Sequence, residues 1–150
     1  PQTDYEVRPC TRQDAVYSAG QGAPVGVTKL ESNYNSDGES VKPYFNIYVE
    51  NLNTGTVVNP EKISDVCTGD KIEKSEWHTV KVRAELSGEP MDCGSGELNI
   101  NTQYPFIKCE ASEAADFSLS GGAFTKFLRV VIDYGYFDEQ TDHMTILKKP

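Results

Sequence analysis

An antiparallel β-sandwich of about seven to eight short strands, preceded by an extended N-terminal arm, is the fold this sequence predicts. Three observations carry the prediction. Apolar and polar residues alternate in several separate runs, the cleanest setting Leu128, Val130, Ile132, Tyr134 and Tyr136 against Arg129, Val131 and Asp133. Clusters of Gly, Pro, Asn, Asp and Ser interrupt these runs at short intervals. No stretch keeps an amphipathic 3.6-residue period over three turns. With 150 residues the chain suffices for one domain with a real core, read as an arm over 1–22 and a sandwich over 23–150.

In chain order, the arm is rich in breakers, with room for one short strand near Ala15 to Ser18. Val25 to Leu30 is the first credible strand, and Asn33 to Ser40 is a turn by composition. Tyr44 to Glu50 alternates, with Phe45, Ile47 and Val49 facing in and Tyr44, Asn46, Tyr48 and Glu50 facing out. Thr56-Val57-Val58 begins a return after the Asn53-Thr54-Gly55 turn, and Ile63 to Cys67 is a further short segment. Val80, Val82, Ala84 and Leu86 form the inward face of another strand, ended by Ser87-Gly88-Glu89-Pro90. Tyr104 to Ala111 is a strand, and Ser112 to Phe117 a helical turn. The run from Phe127 to Tyr136 is expected to be the centre of a sheet. It is expected to form a hairpin with Met144 to Leu147 across the polar turn Asp138 to Asp142.

Charge narrows the possible partners. Twenty-three acidic residues stand against 14 basic ones, a formal net charge of -9. Such a surface repels nucleic-acid phosphates and anionic lipid headgroups, so binding by phosphate neutralisation is not expected. No run of about 20 apolar residues is available to span a membrane. The chain starts at Pro1, not Met, which suggests processing.

The four cysteines, Cys10, Cys67, Cys93 and Cys109, contain no Cys-x-x-Cys pair, and their wide spacing disfavours structural zinc. Of three possible pairings, Cys93–Cys109 and Cys10–Cys67 are favoured: the first closes a short loop, the second ties the arm to the middle of the chain. Two disulfides imply an oxidising, extracellular or cell-surface setting. Four free thiols in a cytosolic protein is the competing reading.

Catalytic and cofactor motifs are sparse. Asn33-x-Asn35-x-Asp37-Gly38 copies the opening of a calcium loop, but Tyr44 stands where the bidentate Glu belongs. Asn33, Asn35 and Asp37 therefore form only a weak calcium candidate, and a polar turn is the favoured reading. His78 and His143 lack an evident third partner for zinc or for a catalytic dyad. No nucleophile elbow and no phosphate-cradling loop is present. The expectation is a protein that is not an enzyme and has no cofactor. Tyr44 and Tyr48 share the outward face of one strand, so they form either a sugar-stacking or interface patch or a surface covered by other chain. Trp77 reads as a core plug.

Phe45-Asn46-Ile47-Tyr48-Val49-Glu50-Asn51-Leu52-Asn53-Thr54-Gly55-Thr56-Val57-Val58 resembles the central hairpin of immunoglobulin-like domains of the CARDB type, adhesion-related modules of prokaryotic surface proteins. Leu86 through Cys93, and Cys109 through Ile132-Asp133-Tyr134-Gly135-Tyr136, are similar to small secreted archaeal proteins with a disulfide and a Tyr-x-Tyr last strand. The resemblance implies an immunoglobulin-like surface domain that binds or assembles, and it carries over no catalytic residue. The arm departs from a minimal domain of that kind. It suggests a filament subunit that donates a strand to its neighbour, the donor segment including Asp14, Ala15, Val16, Tyr17, Val25 and Val27. The expected partners are other copies of the chain or other surface proteins. The alternative is a carbohydrate- or protein-binding module of a larger secreted protein, using the Tyr44/Tyr48 face.

Overall fold

In the computed structural model the chain is all-β and antiparallel, with one short helix. The structure describes residues 14–16, 23–37, 40–112, 115–116, 127–139 and 144–148. The strands are β1 (Asp14–Val16), β2 (Val25–Asp37), β3 (Ser40–Asn51), β4 (Thr56–Val58), β5 (Thr79–Leu86), β6 (Glu89–Pro90), β7 (Glu97–Asn99), β8 (Phe106–Glu110), β9 (Ala115–Asp116), β10 (Leu128–Asp133) and β11 (Gly135–Phe137). Helix α1 spans Ile63–Thr68 and ends at Gly69, whose φ of 79° suits a residue without a Cβ.

Two sheets are built on the same plan. In the first, β3 is central: β2 lies along one side, and β8 and β9 share the other. In the second, β5 is central: β10 lies along one side, and β6 and β7 share the other. Their inner faces meet in one core. Val25, Ile47, Val49, Ile107 and Cys109 come from the first sheet, and Val80, Val82 and Ala84 from the second. Both central strands owe their place to the alternation read in the sequence. Ile47 and Val49 are fully buried, as are Val57 and Val80. β11 pairs with β4 as a small third sheet.

The β5–β6 connection is tight because Ser87 (φ 50°) and Gly88 (φ 86°) both take left-handed conformations. That backbone twist matches a two-residue antiparallel hairpin.

Several expectations are corrected. Asn33 to Asp37 is not a turn but the far half of β2, paired residue by residue with β3 as far as Asp37 opposite Ser40. Pairing to a full-length neighbour overrides the turn-like composition. Within the expected helical turn Ser112 to Phe117, the described Ala115–Asp116 is a strand that pairs with β3. The Phe127–Tyr136 run is neither central nor continuous. β10 is an edge strand on β5, and the chain breaks at Tyr134 to enter β11 on β4. Gly135 allows this change of sheet, because a Cβ there would come within 2.9 Å of both Ile63 Cβ and Val58 Cγ1. Met144 to Leu147 does not return as a hairpin strand; Met144, Ile146 and Leu147 are exposed and without regular structure. The inward face of the run nevertheless holds: Leu128, Val130, Ile132, Tyr134 and Tyr136 all pack against the core.

Candidate functional site

One flank of the sandwich is closed. Cys93 and Cys109 form a disulfide that joins the segment after β6 to β8, and Cys109 is fully buried. Beside it, Asp92 and Glu110 exchange a pair of backbone hydrogen bonds, each 2.8 Å. Cys67 is exposed on α1 and makes no disulfide among the described residues; its expected partner, Cys10, lies outside them.

Among the described residues the opposite flank is open. A cleft of about 530 Å³ runs between β2 and β10, lined on one side by Val25, Val27 and Leu30 and on the other by Leu128, Val130 and Ile132. Ala23 and Tyr134 also line it. Among the described residues β10 pairs only with β5, so its other backbone edge faces this cleft unpaired. Unpaired N–H and C=O groups beside an apolar trough are what an added strand requires. β1 sits on the outer edge of β2, with Asp14 opposite Glu31, Ala15 opposite Leu30 and Val16 opposite Lys29.

The described residues of the donor segment expected from the sequence fall on two strands. Val25 and Val27 belong to β2 and line the cleft, and Val25 is part of the core. Asp14, Ala15 and Val16 form the arm strand, and Tyr17 lies outside the described residues.

The outward face of the first sheet carries Tyr44 and Tyr48. Register places Lys29, Tyr48 and Phe106 in one row and Asn33, Tyr44 and Glu110 in another. Tyr48 and Phe106 have ring centroids 5.2 Å apart, Lys29 Nζ lies 5.3 Å from the Tyr48 centroid, and the Tyr48 hydroxyl donates to Glu31. Lys108 Nζ lies 4.4 Å from the Tyr44 ring centroid. Both rings are thus engaged by cations of their own sheet. Phe106, about half exposed, joins this patch from β8; it stood in a strand recognised from the sequence, but strand register was needed to place it beside Tyr48.

The weak calcium candidate does not survive as a loop. Asn33, Asn35 and Asp37 lie along extended backbone, whereas a calcium loop wraps its ligands around a bend. Asn35 Nδ2 instead donates to Glu110 Oε1 at 3.2 Å. His78, with φ 60°, lies between Trp77 and the start of β5, and His143 lies outside the described residues.

One titrating pair is well defined. Lys81 Nζ donates to Glu61 Oε1 at 2.7 Å, which holds the Glu61 carboxyl below its ordinary range and raises the Lys81 ammonium above its own. Both groups are exposed, so the pair adds little stability.

Comparison with protein families, with curated proteins and with solved structures returns no match. No helix among the described residues is long and apolar enough to cross a membrane.

Proposed function

We propose that this chain is an extracellular structural or adhesive subunit, a surface domain of the immunoglobulin-like CARDB kind that joins other copies by strand addition into a filament. The observation that carries the reading is the cleft lined by apolar side chains along the edge of β10 that no described residue pairs with. An open edge of this kind is an aggregation hazard unless something covers it. The arm supports the same reading. β1 is a three-residue strand on the outer edge of β2, so releasing it to add along the β10 edge of a neighbouring copy gives up few contacts. The Cys93–Cys109 disulfide fits an oxidising compartment.

The test compares the full chain with a chain beginning at Ala23, by size-exclusion chromatography and negative-stain imaging. The full chain is expected to form polymers and the shortened one to remain a folded monomer. Polymers from the shortened chain would contradict donation by the arm, and a monomeric full chain would contradict assembly itself.

The second reading is a carbohydrate- or protein-binding module of a larger secreted protein. The observation in its favour is the aromatic row of Tyr48 and Phe106 beside Tyr44 on an outward sheet face. A monomer that is retained on immobilised glycans and released by Tyr48→Ala would favour it.

A further inference from the structure

Trp77 is the only tryptophan in the chain, and it does not plug the core. It lines a second pocket, of about 630 Å³, together with Lys74, Ser75, His78, Asn99 and Asn101. This pocket lies away from the β2–β10 cleft and shares no residue with it.

The walls of the pocket are held from several directions. The 3-10 turn Lys74–Glu76 is tied to the end of β4 by Asn59, a buried side chain. Asn59 Nδ2 donates to Glu76 Oε2 at 2.7 Å, and the Asn59 backbone N–H donates to the Glu76 carbonyl at 2.9 Å. His78 is fixed by its own backbone: its N–H donates to the Val57 carbonyl and its carbonyl accepts from the Ile100 N–H, both at 2.8 Å. On the far wall, Asn99 Oδ1 accepts from the Asn101 N–H at 2.8 Å. The left-handed φ of 60° at His78 is uncommon for a residue with a side chain and persists because these contacts over-determine it. The Trp77 ring meets Phe137 at 6.1 Å between centroids, at a 60° tilt.

The chemistry of the lining is the opposite of the chain's average. On a chain of net charge -9, no carboxylate among the described residues lines this pocket, while Lys74 and His78 do. Glu76 stands on the same turn, but its carboxylate is turned to Asn59. Among the described residues, the Lys74 ammonium, the Trp77 indole N–H, the Asn99 Nδ2 and the Asn101 side-chain amide have no protein hydrogen-bond or ion-pair partner, and all stay accessible to solvent. A flat aromatic ring surrounded by uncommitted amides and one cation suits a ring-shaped ligand that is apolar on its face, polar at its rim and negatively charged.

We propose that this pocket binds a pyranose bearing a carboxylate, a uronic acid residue. The Trp77 indole receives the C–H face of the sugar ring. The amides of Asn99 and Asn101 hydrogen-bond to its hydroxyls, and the Lys74 ammonium pairs with its carboxylate. The site does not depend on strand addition, and it stands apart from the Tyr44/Tyr48 face.

The single tryptophan makes the test direct. Trp77 emission is followed in the full chain during titration with sodium galacturonate and sodium glucuronate, with galactose, glucose and acetate as controls at matched ionic strength. At least one uronate is expected to give a saturable change, neutral sugars to bind about tenfold more weakly, and acetate to leave the emission unmoved. Lys74→Ala and Asn101→Ala, both at exposed side chains, are each expected to weaken uronate binding about tenfold with the melting temperature unchanged. The proposal is overturned if neither uronate moves the emission, if acetate or a neutral sugar moves it equally, or if both variants bind as the parent does.

Discussion

The two flanks of this sandwich are finished in opposite ways. On the β6/β8 flank a disulfide and a pair of backbone hydrogen bonds join the two sheets. On the β2/β10 flank the same two sheets part around an apolar cleft, and no described residue pairs with the outer edge of β10. Both flanks draw on one core, so the difference lies in how the rims are sealed. A covalent seal costs nothing to maintain once formed. Along the other rim, covering apolar surface would gain roughly 25 cal/mol per Å².

Substitutions that separate the centre from the rim should show the largest contrast. Ile47 is fully buried between the sheets, so Ile47→Ala is expected to cost about 2–5 kcal/mol in denaturant unfolding. Val130 faces the cleft and is only partly buried, so Val130→Ala should cost distinctly less in the dispersed protein. Equal losses would mean that the cleft is closed in solution. Next comes the sealed flank. Replacing Cys93 and Cys109 together by Ser opens a loop with a sequence separation of 16. The chain-entropy model puts that loss at about 3 kcal/mol, seen as a fall in melting temperature of roughly 6–12 °C.

A smaller effect probes the point where the chain leaves the second sheet. The Tyr136 hydroxyl accepts the Gly55 N–H at 2.7 Å and so fastens β11 to the turn before β4. Tyr136→Phe leaves that N–H without its partner and should cost about 1 kcal/mol. The smallest effect is electrostatic. Because the Glu61 carboxyl is held below its ordinary value of 4.5, its contribution is present above that pH and is lost as the pH falls through the lowered value. The raised Lys81 contributes below 10.5 and loses its contribution as the pH climbs through its own raised value. Glu61→Gln removes both contributions, so it should alter the pH dependence of the melting temperature at the acid end and, through Lys81, at the alkaline end, and added salt should shrink the difference.

The central strands were legible in the sequence and the rims were not. β5 buries one face along its whole length and β3 buries Ile47 and Val49, so a period of two marks both and also names Ile47, Val49, Val80 and Val82 as core. The same period ran unbroken through Tyr134, where the chain exchanges one sheet for another; side-chain alternation carries no record of which strand is the neighbour. Asn33 to Asp37 looked like a turn because Asn, Ser and Asp favour turns when nothing pairs with them, and here β3 does. The cleft itself is a relation between β2 and β10, which stand a hundred residues apart in the chain, and no local pattern encodes it. The Trp77 pocket was hidden for a related reason: its lining comes from a turn, a bend and the end of β7, brought together by the hydrogen bonds of Asn59 and His78.

The claim that β10 is an accepting edge is tested most directly by amide hydrogen exchange across Leu128–Asp133, measured in the full chain and in a chain lacking residues 1–22. The account predicts slow exchange along β10 in the assembled full chain and faster exchange in the shortened monomer, with β3 and β5 alike in both. Identical exchange along β10 in the two proteins would contradict it.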